Sequence, residues 1–165
     1  MRNWYTERMV VLAIDPGYGR CGVAVLEKEG VSVRLRYSDC IETDAKDPFP
    51  ERLAAVVAAC ERLLKKHPPD SIAIEKVYFS KNQKTAMRVA EVRGALIALT
   101  ARFDVPLSEY SPSEVKVAVA GFGNADKKAV TKMLHALVHI EKSIAYDDEY
   151  DAIAIGITHL AHYRA

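Results

Sequence analysis

Apolar and polar positions in the first quarter of the chain mark three extended segments. Met9-Val10-Val11-Leu12-Ala13-Ile14 is a continuous apolar run closed by Asp15, and Pro16-Gly17-Tyr18-Gly19 behind it is a turn. Residues 20–27 and 31–42 read as two further extended segments, with Glu29-Gly30 as a tight turn between them. Val31-Ser32-Val33-Arg34-Leu35-Arg36-Tyr37 alternates in the way a half-exposed strand does. Short connections make these segments an antiparallel meander. The period then lengthens. Leu53, Val56, Val57, Cys60, Leu63 and Leu64 recur at helical spacing from Glu51 to Lys66, and His67-Pro68-Pro69 stops them. Ile72–Glu75 is short and apolar, as a buried parallel strand is. A long helix follows over Gln83–Phe103, then a strand over Val105–Tyr110. Ser111-Pro112-Ser113-Glu114 opens another helix with a capping box. Residues 125–138 and 148–163 read as the last two helices. A meander followed by alternating helices and strands predicts one mixed α/β layer architecture. Residues 1–8 read as a loosely ordered N-terminal extension.

Half of the 165 residues are hydrophobic and 27% are charged, the balance of a globular domain rather than a disordered chain. No apolar run approaches the roughly 20 residues that cross a bilayer, so no membrane association is expected. Cys21, Cys40 and Cys60 are odd in number and form no CxxC pair, which argues for reduced thiols and against a zinc site. Net charge is only +1, but from Lys76 to His135 there are ten Lys and Arg against five acids. A basic stretch of that kind suits an enzyme acting on a polyanion, although a solvated mixed-charge surface has the same composition.

Four acids stand where apolar elements begin or end. Asp15 closes the first strand, Glu75 closes Ser71-Ile72-Ala73-Ile74, and Asp148 and Asp151 open the stretch Ala152-Ile153-Ala154-Ile155. A carboxylate at the end of a buried strand is costly unless a cation or hydrogen bonds compensate it. Asp148 and Asp151, three apart on a helix, share one face. Such a set can hold two divalent ions about 3.5–4 Å apart, and oxygen-only ligation favours magnesium or manganese. Each acid also has an ordinary reading. Acids are favoured at a helix start by the macrodipole, and Asp before Pro-Gly is a common turn. Asp147 and Glu149 read as solvated.

The chain resembles the RuvC family of bacterial Holliday-junction resolvases, within the RNase H-like superfamily. The resemblance runs from Met9 to about His162. It is carried by Ala13-Ile14-Asp15-Pro16-Gly17, Ala73-Ile74-Glu75-Lys76-Val77-Tyr78, Lys81-Asn82, Arg93-Gly94, Val115-Lys116, residues 121–127, residues 148–155 and Ile157-Thr158-His159. It implies an RNase H-like mixed five-stranded sheet, antiparallel meander plus parallel strands, flanked by helices, with residues 9–165 as a single nuclease domain. Asp15, Glu75, Asp148 and Asp151 match the family's catalytic and metal-binding acids. Lys116 and Lys127 match basic residues beside the scissile phosphate. Tyr78 matches an aromatic position at the junction centre, extended by Phe79. Lys81, Lys84, Arg88 and Lys128 complete the expected DNA contacts.

The implied activity is cleavage of four-way DNA junctions by symmetric hydrolysis of two phosphodiesters, leaving 5′-phosphate and 3′-hydroxyl ends. Two Mg2+ per site are expected, with Mn2+ able to substitute. A homodimer is expected, with Met87, Ala90, Gly94 and Ile97 of the long helix as candidate interface, although the same stripe could face the protein's own core. Cooperation with the RuvA–RuvB branch-migration complex and a cytoplasmic location follow from the family. The rivals are an RNase H-like nuclease acting on RNA or an RNA–DNA hybrid, an actin-like-superfamily phosphotransferase, and a junction-binding module without activity. The pairs His135/His139 and His159/His162 read as structural or surface residues.

Overall fold

The computed structural model of the chain describes residues 8–78 and 82–162. Candidate residues Phe79 and Lys81, and the extension as far as Glu7, lie outside the described residues. The element order is β1 (Arg8–Asp15), β2 (Arg20–Glu29), β3 (Ser32–Glu42), α1 (Phe49–Lys66), β4 (Ser71–Glu75), α2 (Gln83–Arg102), β5 (Leu107–Tyr110), α3 (Pro112–Ala120), α4 (Lys127–Leu137) and α5 (Asp147–His162). The strands form one sheet in the order β3-β2-β1-β4-β5. β1 pairs antiparallel with β2, and β2 with β3, while β4 runs parallel to both β1 and β5. This is the mixed five-stranded sheet that the resemblance implies.

Local chemistry sets the boundaries. Ser111 accepts from the Glu114 amide, and Glu114 reaches back to the Ser111 amide, so α3 starts with the predicted capping box. The Asp126 side chain accepts from the Ala129 amide at 2.8 Å. It therefore caps α4, which starts at Lys127 rather than at residue 125. The strand expected from Val105 begins at Leu107, because Pro106 has no N–H to give a ladder.

The sheet separates two cores. Val10, Leu12, Ile14, Val23, Val25, Ile72 and Ile74 pack on one face against α1 and α2. Met9, Val11, Ala13, Ala24, Leu26 and Ala73 pack on the other against α5, with α3 and α4 outside it. Every residue of α5 from Ala152 to Leu160 is buried, so it is a central helix, apolar on all sides. Small residues let it lie close. A Cβ on Gly156 would fall 2.2 Å from Leu26 Cδ1.

The stripe Met87, Ala90, Gly94 of α2 is exposed, with Ile97 half-buried at its end. The helix uses Ala86, Val92, Leu96 and Leu99 for its own core. The candidate dimer stripe therefore faces outward.

Candidate active site

Alternation along β1 places residues 9, 11 and 13 on the α5 side of the sheet, and Asp15 is next in that series. The same period in β4 carries Ser71 and Ala73 to Glu75. Because Ile14 pairs with Ile74 in the parallel ladder, Asp15 and Glu75 emerge side by side at the same level and on the same face. On its other side Asp15 pairs with Gly22 of β2. Above Gly22 runs the start of α5: a Cβ on this glycine would fall 1.8 Å from the Asp148 carbonyl oxygen. Only glycine admits so close an approach. Asp148 therefore sits above the β2 neighbour of Asp15. One turn on, Asp151 lines the same cavity as Glu75, of about 210 Å³, together with Lys116 of α3 and Lys127 of α4.

Electrostatics bind the four acids into one unit. Burial pushes the Asp15 carboxyl well above the ordinary range, and the charges of Glu75, Asp151 and Asp148 push it further. Burial first and then Asp151 raise Glu75 to about 7, against a smaller lowering by a hydrogen bond with Asp15. Asp151 is raised chiefly by burial, and Lys127 and Lys116 pull against that rise. Carboxylates that hold protons this tightly are short of positive charge. Among the described residues no three acidic, histidine or cysteine side chains lie together closely enough to hold a metal ion as they stand. The donor set, oxygen only and strongly acidic, fits a hard divalent cation.

The remaining candidates distribute unevenly. Lys127 Nζ donates to Asp147 Oδ2 at 2.9 Å, a contact that raises its proton affinity. Lys128 lies beside it in an open groove with Lys132 and Thr131. Tyr78 is 60% exposed and shares a groove with Glu75, Thr85 and Pro112. Lys84 is exposed on the first turn of α2. Arg88 does not point free: its guanidinium lies 4.1 Å over the Phe49 ring and 3.0 Å from Glu91.

Three residues beyond the predicted set bear on the site. Arg20 lies 3.4 Å from Asp148 Oδ2 and stacks over Tyr146; its place directly after the Pro16–Gly19 turn is the only signal for it in the chain. Arg93 Nε donates to the Glu75 carbonyl at 3.1 Å and also pairs with Glu109, which fixes the end of β4. Glu149 corrects the sequence reading. It is not solvated but buried, with 4% of its surface exposed, because the 100° step per residue turns it from the acid face toward the sheet.

The histidines serve packing. His159 is buried between Ser71 Oγ, at 2.5 Å, and Tyr110 Oη, at 2.9 Å, and burial lowers it to about 4, so it is neutral near pH 7. His135 meets Tyr150 Oη at 3.1 Å, while His139 is exposed near Glu141.

Comparison with known proteins follows the same lines. The family model for crossover junction endodeoxyribonuclease RuvC matches residues 11–159. The chain is 40% identical over 151 residues to the crossover junction endodeoxyribonuclease RuvC of Petrotoga mobilis, covering 92% of this chain and 93% of that one. It is 42% identical over 147 residues to that of Thermosipho melanesiensis, covering 89% and 94%. Among solved structures it is similar to Thermus thermophilus RuvC in complex with a Holliday junction substrate. The TM-score there is 0.86 at 30% identity, over 93% of this chain and 94% of that one.

Proposed function

Since the chain belongs to the RuvC family of crossover junction endodeoxyribonucleases, we propose that it resolves four-way DNA junctions by hydrolysing one phosphodiester per subunit at the acid cluster. It is a DNA phosphodiester hydrolase of a metal-dependent family. The observation that carries the reading is the convergence of Asp15, Glu75, Asp148 and Asp151 beside Lys116 and Lys127. Family membership also sets aside the RNA-directed, phosphotransferase and inactive-module readings.

The residues divide the work. Asp15, Glu75, Asp148 and Asp151 would hold two Mg2+, or Mn2+ in their place; such ions would supply Lewis-acid charge and a more acidic water. Hydrolysis adds the water oxygen to phosphorus and breaks the P–O3′ bond. One product keeps the 5′-phosphate and the other takes a proton on its 3′-oxygen. Lys116 and Lys127 set positive charge on the wall of the cavity opposite the acids, where phosphate oxygens gain negative charge. Lys127 pairs with Asp147 at 2.9 Å with both side chains exposed, and a pair of that kind is weak enough to exchange for phosphate. Tyr78, exposed at the rim, offers a ring face to an unpaired base. Lys84 and Lys128 extend the phosphate contacts on either side, whereas Arg88 is engaged with Phe49 and Glu91.

A two-fold junction needs two symmetric cuts, and each chain holds one site. A two-fold homodimer through the exposed stripe of α2 meets that need. Cooperation with the RuvA–RuvB complex and a cytoplasmic location complete the reading; among the described residues no helix is long and apolar enough to cross a membrane. The test is cleavage of a labelled four-way DNA junction with Mg2+, beside linear duplex and an RNA–DNA hybrid. Paired nicks in the junction alone support the proposal, and cleavage of the hybrid alone refutes it.

A further inference from the structure

Asp147, Asp148 and Glu149 stand in the first turn of α5, with Asp151 just beyond, and the charges of Asp148 and Asp151 reach Asp15. The packing farther along α5 is apolar and built on small residues, Ala152, Ala154 and Gly156 against Ala13 and Ala24. The first turn is placed by contacts of its own, beginning with the Asp148 backbone against Gly22.

Glu149 is tied in that same turn. Its Oε1 accepts from Ser38 Oγ of β3 at 2.6 Å and lies 2.6 Å from Lys142 Nζ. The same ammonium donates to the Ser38 carbonyl at 2.6 Å. Helix, edge strand and the segment before α5 thus close a triangle. Ser38 pairs with Ala24, two residues along β2 from Gly22, the glycine against which the Asp148 backbone rests. Nothing in the hydrolytic scheme uses Glu149. The carboxylate is buried while the ammonium is half exposed, so the contact fixes where Glu149 sits relative to β3 and the segment before α5.

We infer that Glu149, Ser38 and Lys142 are positioning residues that set the start of α5, and with it Asp148 and Asp151, in place over the sheet. This rests on the cation-site reading given above. It extends the site to a strand that carries none of the acids.

Mn2+ binding to the chain without DNA, followed by electron paramagnetic resonance well below the unfolding temperature, tests it. Glu149→Ala is expected to weaken Mn2+ binding by up to about 10-fold, the low end of the loss that follows removal of a direct outer partner, because Glu149 acts on the ligands through the backbone of α5. Ser38→Ala changes no charge and is expected to weaken binding in the same direction, which separates positioning from loss of a nearby anion. Glu149→Gln keeps an oxygen for Ser38 and should fall between Glu149→Ala and the unsubstituted chain. Glu27→Gln is the control, because Glu27 is equally buried and pairs with Arg8 and Arg36 away from the acids; it should lower the unfolding temperature and leave Mn2+ affinity unchanged. Unchanged Mn2+ affinity in Ser38→Ala and Glu149→Ala, with only stability lowered, overturns the inference. If Glu149→Ala does not fold, Ser38→Ala and Glu149→Gln decide alone. Failure of the unsubstituted chain to bind Mn2+ overturns the cation-site reading and the inference with it.

Discussion

Glu75 is expected to destabilise the cation-free protein near neutral pH, and Glu75→Gln to stabilise it. The ordinary carboxyl value of 4.5 rises to about 7 in the fold, through burial first and the Asp151 charge second. The folded chain therefore binds this proton more tightly than the unfolded chain does. Its contribution is fully present below pH 4.5 and is lost as pH rises through 7. The gap of about 2.5 units corresponds to about 3 kcal/mol at 1.36 kcal/mol per unit. In the presence of EDTA at pH 8.5, Glu75→Gln should melt higher by roughly 6–12 °C for a chain of this size. The difference should shrink toward zero as pH falls to 4.5. Adding Mg2+ should reverse the order, since the ion stabilises only the chain that binds it. Thermal unfolding followed by circular dichroism, with and without EDTA, reads all of these. If Glu75→Gln is no more stable than the original chain at pH 8.5, or if the gap does not change with pH, the acid cluster is not under the strain described.

Asp151→Asn should abolish junction cleavage while leaving or improving junction binding in gel shifts, because it removes negative charge that faces phosphate; loss of binding would point to misfolding instead. Lys116→Ala should lower the cleavage rate at saturating Mg2+ with the unfolding temperature unchanged, and a large drop in that temperature would make Lys116 structural. Tyr78→Ala should weaken junction binding by roughly 5- to 150-fold, the equivalent of about 1–3 kcal/mol for one stacked base, with linear duplex as the unaffected comparison. Gly94→Glu should leave the fold intact, since no atom lies within 4 Å of its new Cβ. In sedimentation it should shift the chain toward monomer, and persistence of the dimer would exclude this face of α2.

Much of the site is local chemistry and therefore legible along the chain. A two-residue period carries Met9, Val11 and Ala13 on to Asp15, and Ser71 and Ala73 on to Glu75, whichever strands become neighbours. Spacing of three on a helix brings Asp148 and Asp151 to one side, and the Ser111–Glu114 box starts α3 through backbone donors only three residues apart. Even the outward stripe of α2 has its period in the sequence, although its direction does not.

What the chain alone leaves open depends on contacts across the sheet. Glu149 stands among acids and looks like any helix-start carboxylate; only its seat beneath α5, opposite Ser38 more than a hundred residues earlier, makes it a buried anchor. The need for glycine at position 22 arises from the Asp148 backbone above it, and nothing in β2 announces that. The engagement of Arg88 with Phe49 and of Arg20 with Asp148 likewise joins distant segments. Periodicity specifies which face a side chain takes on its own element, because that follows from backbone geometry. Which element covers that face, and what charge waits there, is decided by packing of the whole chain.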